Sequence, residues 1–319
     1  MDTAPRHMDL YPKIEPYDRG MLDVGDGHRI YYEQTGNPQG VPVVFLHGGP
    51  GAGSNPAHRR FFDPEFYRVV IFDQRGAGRS RPFASVDDNT TDHLVADIER
   101  LRKHLNIQSW LVFGGSWGST LALVYALRHT GHCRGLVLRG VFLGSNAELD
   151  WFLYGMHTVF PEAWRRFAEY IPDAEQGDLL KAYHTRLTDP SPEVHMLAAA
   201  YWAGYETSCS NLLASPSEAP PQASSGALSL ARIEAHFFIN DVFIDDTEIL
   251  DGVATLHHLP CVVVQGRYDM VCPIRTADKL VRAWPGIDYR IVPDAGHSAM
   301  EPGIRSQLVR GTESMKDRV

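Results

Sequence analysis

The chain has 319 residues, 44% of them hydrophobic, and a formal net charge of −9. That length and apolar content support a large buried core, suited to one catalytic domain with an insertion. The acidic balance disfavours nucleic acid or an anionic membrane as a partner, and no basic tract offers an exception.

At the amino terminus, residues 1–16 mix charges with prolines and lack the apolar core of a signal peptide. No apolar run is long enough to span a bilayer, so a cytoplasmic location is expected. The first strand-like run is 29–34, and the next, 43–46, opens into His47-Gly48-Gly49-Pro50-Gly51. Glycines there let a substrate oxygen approach the main chain closely, and the N–H of Gly49 is one donor for negative charge that develops on it. A third run, 68–72, leads to Asp73-Gln74-Arg75-Gly76-Ala77-Gly78-Arg79-Ser80. In this polar loop Asp73 and Arg75 are expected to brace neighbouring loops, and no catalytic role is assigned to them.

The strand-like run 111–113 is followed by Gly114-Gly115-Ser116-Trp117-Gly118 and then by a helix-forming stretch through Arg128. Strand, sharp turn and helix are the setting in which a G-x-S-x-G serine becomes a nucleophile, its Oγ exposed above the sheet. The flanking glycines omit Cβ atoms that would clash at the turn. The backbone N–H of Trp117, just after the serine, is the second expected oxyanion donor, and losing one such donor typically costs roughly 10²–10³ in rate. By itself the pattern matches many small Gly/Ser turns, and the glycine loop at 47–51 raises its weight.

After a run at 136–138 the rhythm changes: residues 147–245 read as amphipathic helices rich in Trp, Tyr and Phe, a helical cap dividing a core of 1–146 and 246–319. Within it, 214–227 is poor in apolar residues and rich in helix breakers, and is expected to be a mobile surface loop. Strand patterns resume at 262–265, opening into Gly266-Arg267-Tyr268-Asp269, and at 289–292, opening into Pro293-Asp294-Ala295-Gly296-His297. A serine hydroxyl needs a histidine base and a carboxylate that orients it. The order Ser116, Asp269, His297 is the chain order of α/β-hydrolases. Asp294 competes with Asp269, but it shares the histidine's own loop, whereas this fold supplies the acid from the preceding strand's loop. Alternating strands and helices predict an α/β fold, a mostly parallel sheet with helices on both faces and ligands beyond the strands' carboxyl ends.

Cys133, Cys209, Cys261 and Cys272 show no C-x-x-C spacing, and His-Glu-x-x-His is absent. Neither a disulfide framework, a metal nor an organic cofactor is expected.

His47 to Gly51, Asp73 to Ser80, Gly114 to Ser119, Leu138-Arg139-Gly140-Val141-Phe142 and Trp151-Phe152 together make the chain resemble the proline iminopeptidases, serine aminopeptidases of the α/β-hydrolase superfamily. The resemblance runs through nearly the whole chain and implies an acyl-enzyme mechanism on peptides with a free amino-terminal proline. It also implies that Glu206 and Glu234 in the cap bind the substrate's amino group, where composition alone would make each a solvated helix glutamate. For the prolyl ring, Phe142, Trp151, Phe152, Tyr205 and Phe237 are the candidate walls. The chain departs from the family in Phe152-Leu153-Tyr154, where relatives tend to carry tyrosines and then glutamine, and in Tyr205, where tryptophan is common. These changes point to altered or broader selectivity. Cys272 matches a cysteine near the family's pocket and reads here as a small structural thiol. Two alternatives stay open: a carboxylesterase or general amidase on the same fold, and a catalytically silent binding protein.

Overall fold

The computed structural model describes residues 8–213 and 222–319. Its frame is an eight-stranded sheet in the order β1-β2-β4-β3-β5-β6-β7-β8. The strands are β1 (Asp18–Gly25), β2 (His28–Gly36), β3 (Val41–Leu46), β4 (Tyr67–Phe72), β5 (Trp110–Gly115), β6 (Cys133–Arg139), β7 (Cys261–Gly266) and β8 (Asp288–Val292). β1, β2 and β4 pair antiparallel, and every pair from β4·β3 to β7·β8 is parallel.

The central strands read as unbroken apolar runs because helices cover both faces. Alternate side chains divide between two cores: Val44, Leu46, Val70, Phe72 and Val112 on one side, Val43, Phe45, Val69, Ile71, Leu111 and Phe113 on the other. The first core continues into α1 (Thr91–His104) and α2 (Trp117–Arg128), and the second is closed by Ile304, Leu308, Val309 and Met315 of α10 (Pro302–Met315).

Between β6 and β7 lie α3 (Asn146–Leu153), α4 (Pro161–Glu169), α5 (Leu179–Leu187), α6 (Pro192–Cys209), α7 (Ser225–Ile239) and α8 (Glu248–Gly252); α9 (Ile274–Ala283) links β7 to β8. An aromatic cluster binds the inserted helices together, with Phe167 stacked on Tyr183 and Tyr205 at 4.5 Å each and Trp202 edge-on to Tyr183 at 5.3 Å. The insertion lies over the carboxyl ends of the strands. Ser229 on α7 donates to the Gly51 carbonyl at 3.0 Å, and Phe237 packs edge-on against Trp117 at 4.9 Å.

Two expectations need correction. The sheet begins with β1, a strand the sequence reading omitted; as an edge strand it buries only Val24 well, so its apolar signal is faint. The loop expected over 214–227 ends at Ser224, whose hydroxyl accepts the Ala227 N–H and starts α7 at Ser225. Residues 214–221 lie outside the described residues.

Among the described residues no helix is long and apolar enough to cross a membrane. The four cysteines are all free and buried.

Candidate active site

Ser116 stands between β5 and α2 with φ 58° and ψ −129°, a backbone conformation that is strained for any residue with a Cβ. The surrounding glycines make it possible. A Cβ on Gly114 would lie 2.0 Å from the Gly118 carbonyl oxygen, and one on Gly118 would lie 2.2 Å from that of Leu46. The turn is pinned by the Ser116 N–H, which bonds to the Arg139 carbonyl at 2.8 Å, and by Ser119, whose hydroxyl donates to the Ser116 carbonyl at 2.7 Å.

The loops after β7 and β8 bring Asp269 and His297 to this serine. The Ser116 hydroxyl lies 3.1 Å from His297 Nε2, and His297 Nδ1 lies 2.9 Å and 3.0 Å from the two Asp269 oxygens. Asp269 is held in turn by the Cys272 N–H at 2.8 Å and the Gln265 amide at 3.2 Å. Asp294 is exposed and takes no part in this chain of contacts. The His297 loop is tied to the inserted helices: the N–H groups of His297 and Ser298 both donate to the Ser210 carbonyl, at 2.9 Å and 2.8 Å.

One sequence expectation fails in detail. Ser116 is only 9% exposed rather than standing open above the sheet, because Cys272, with Sγ 4.0 Å from Oγ, and the inserted helices cover it. Burial, followed by the charges of Asp269 and Glu148, pushes the Cys272 thiol well above its ordinary range, so it is a neutral neighbour.

Gly49 sits opposite the serine at φ 105° and lines the same space. Trp117 opens α2, so its N–H belongs to the first turn, where backbone donors have no intrahelical acceptor. Gln74, from the polar loop after β4, locks the two together. Its backbone N–H bonds to His47 Nε2 at 3.0 Å, its side-chain amide donates to the His47 carbonyl at 2.9 Å, and its Oε1 accepts the Trp117 indole N–H at 2.9 Å. In the same loop Asp73 accepts from Ser54 and Arg79, and Arg75 pairs with buried Asp97, both bracing loops.

Two recesses meet at Ser116 and Gly49. The smaller is lined by Phe142, Leu149, Phe152, Phe238, Val271 and Cys272, with Glu148 and Glu234 as its acids. The larger runs past His47, Arg139, Glu206, Ser210 and His297. Of the candidate walls, Phe142 and Phe152 line the small pocket, while Trp151, Tyr205 and Phe237 line neither recess. Helix phase explains the difference. Glu148, Leu149 and Phe152 share one face of α3, which turns Trp151 away to donate its N–H to the Met270 carbonyl at 2.6 Å. On α7, Glu234 and Phe238 are four residues apart and share the pocket face, whereas Phe237 meets Trp117. Tyr205 packs behind Phe152 and donates its hydroxyl to the Phe152 carbonyl at 2.7 Å.

The two glutamates flank the junction from different sides. Glu234, 3% exposed, lines the small pocket and accepts the Trp202 indole N–H at 2.6 Å. Glu206 lines the larger recess, and its Oε2 is buried with no hydrogen-bond partner. Burial raises Glu206 to about 7, against the pull of Arg139. Burial and then the charge of Glu206 raise Glu234 well above the carboxylate range, against the Trp202 bond. Burial thus holds each carboxyl toward its protonated form, and the two share their field.

Arg139, Gln74, Trp202 and Glu148 are site residues to which the sequence reading gave no role. For Glu148 the signal was present as a capping box with Ser145. For metals, Glu99, His129 and His132 bring ligand atoms within 4.8 Å of one another, but the Glu99 oxygens already accept from Arg102 and Tyr125.

The sheet order, and the elbow that carries Ser116 at the end of a parallel strand, define an α/β-hydrolase. The sequence signature of the alpha/beta hydrolase fold matches residues 41–303. Over 99% of its length the chain is similar to a proline iminopeptidase of Arabidopsis thaliana, with 51% identity and 84% of that protein covered. A proline iminopeptidase of Neisseria gonorrhoeae is 44% identical over 97% of this chain and 100% of its own length. The chain belongs to the proline iminopeptidase family. Among solved structures, a proline iminopeptidase-related protein of Thermus thermophilus shares the fold with TM-score 0.60 and 24% identity, covering 95% of this chain and 98% of its own.

Proposed function

We propose that this chain is a serine aminopeptidase that releases amino-terminal proline from peptides, with Ser116, His297 and Asp269 as its catalytic triad. The observation that carries the reading is the adjacency of that contact chain to a small apolar pocket that holds Glu148 and Glu234, with the unpartnered Oε2 of Glu206 in the adjoining recess. In the first step Ser116 Oγ attacks the carbonyl carbon of the first residue while His297 Nε2 takes its proton, with the ring held by Asp269. The oxyanion is received by the N–H groups of Gly49 and Trp117. His297 then returns the proton to the departing amine, and the peptide's remainder leaves. Water, activated by the same base, hydrolyses the prolyl ester and restores the serine.

The prolyl ring lies against Phe142, Phe152 and Phe238 in the small pocket, and the amino group is drawn to Glu206 and Glu234. Residues 147–245 serve as the cap that supplies this end of the site. Peptides are the partners this chemistry requires.

A comparison of proline arylamide with its N-acetylated form tests the reading. The free amine is expected to be cleaved and the blocked one to be refused. Equal turnover of both would turn the assignment to an esterase or general amidase.

A further inference from the structure

Arg139, at the carboxyl end of β6, is a half-buried cation beside the base to which the mechanism above gives no task. Its NH1 lies 3.0 Å from His297 Nε2 and 3.4 Å from Nδ1. A donor aligned with the Nε2 lone pair would lie much farther from Nδ1. Near-equal distances to both ring nitrogens instead place the guanidinium over the flat face of the imidazole. The same NH1 donates to the His297 carbonyl at 3.0 Å, so ring and backbone are held by one group. The Ser116 hydroxyl is thereby left as the donor that lies along the Nε2 lone pair.

The elbow makes room for this arrangement. A Cβ on Gly115 would lie 2.8 Å from Arg139 NH2 and 2.9 Å from its Nε, and Gly115 pairs with Arg139 in the β5·β6 register. Gly140 does the same on the adjoining side, where a Cβ would meet His297 Cε1 at 3.0 Å. Arg139 Nε is buried without an acceptor. Burial works against the arginine's charge, and the negative fields of Asp269 and Glu206 favour it.

We infer that Arg139 is a positioning residue for the general base: its guanidinium, admitted by Gly115, clamps the His297 ring from one face. The inference rests on the triad reading and not on the choice of proline. The groups around the imidazole or its clamp are Asp269 and Cys272 after β7, Ser116 at the elbow, Arg139 at the end of β6, His58 in the loop between β3 and β4, and Glu206 on α6; Glu301 holds the loop through the Gly296 N–H at 2.6 Å.

The test is the rate at which a fluorophosphonate labels Ser116 across pH, which needs no amino-group recognition. Labelling of the unaltered enzyme establishes the triad, and its absence would overturn that reading by itself. In Arg139→Met the rate should fall at least tenfold at each pH, because the ring is no longer held in line with the Ser116 hydroxyl. Added guanidinium ion should restore part of the rate. Gly115→Ala, which crowds the guanidinium without removing it, should slow labelling in the same direction. Circular dichroism of each variant separates these effects from unfolding. If well-folded Arg139→Met labels at the normal rate and changes only KM for proline arylamide, Arg139 binds substrate and the inference is wrong.

Discussion

Trp202 on α6 and Glu234 on α7 are joined by an indole N–H bond of 2.6 Å, so one helix of the cap holds the carboxyl that the other presents to the pocket. The bond favours the ionised carboxylate against burial. Trp202→Phe keeps most of the packing and removes the donor. Since hydrogen bonds to charged groups are worth about 1.5–3 kcal/mol, KM for proline arylamide should rise roughly ten- to a hundredfold, with a smaller change in kcat. Steady-state kinetics on the purified variant checks this.

With Glu206 as a proposed seat for the substrate's amino group, recognition should depend on pH. Glu206 loses its proton near 7 in the free protein, and an ammonium group is attracted only by the ionised form. kcat/KM for proline arylamide should therefore climb as pH rises through 7. In Glu206→Gln that rise should vanish and the remaining activity should be lower by about tenfold or more. A pH–rate profile that keeps the same limb in the variant would remove Glu206 from the site.

The same carboxyl should weaken the fold. Its native value, about 7, lies above its ordinary 4.5, so the folded state holds the proton more tightly than the unfolded chain. This contribution to stability is complete below about 4.5 and is lost as pH rises through about 7. Glu206→Gln should accordingly raise Tm by a few degrees at pH 8, corresponding to on the order of 2 kcal/mol, and by much less at pH 4.5. Thermal melts at the two pH values provide the comparison.

Ser116→Ala should abolish turnover by about four orders of magnitude or more, because the remaining parts cannot form the acyl-enzyme. Its melting temperature should stay near that of the unaltered protein, since the change deletes one hydroxyl and leaves the elbow's backbone bonds in place.

Gly114→Ala is expected to act on the fold instead. The new Cβ would meet the Gly118 carbonyl oxygen at 2.0 Å, in a turn closed by Leu46 on its other side. Loss of soluble protein, or a fall in stability of more than about 3 kcal/mol in denaturant melts, is the outcome to look for.

The backbone of this architecture was legible because the parallel strands are buried on both faces and announce themselves as apolar runs; each expected strand from 29–34 to 289–292 lies inside an observed one. Ser116, Asp269 and His297 could be found because each follows such a run directly. β1 escaped notice because an edge strand needs no apolar face. The pocket walls were harder for a different reason: adjacent aromatic residues on a helix, Trp151 with Phe152 and Phe237 with Phe238, are indistinguishable until the helix's rotation is known, and packing alone sets that. Arg139 lay in a recognised motif, yet nothing in a string of letters tells that its guanidinium fills the space left by Gly115.

The recesses that meet at Ser116 differ in kind, one small and walled by Phe142, Phe152 and Phe238, the other larger and running past Glu206, Ser210 and Met300. Such a junction treats the two halves of a substrate unequally. What stays on the serine must be a single terminal unit, whereas what departs is limited only by how far it reaches into open solvent. On the function proposed above, a polypeptide is shortened from its beginning one step at a time, while prolines in its interior, having no chain end to offer the acids, pass untouched.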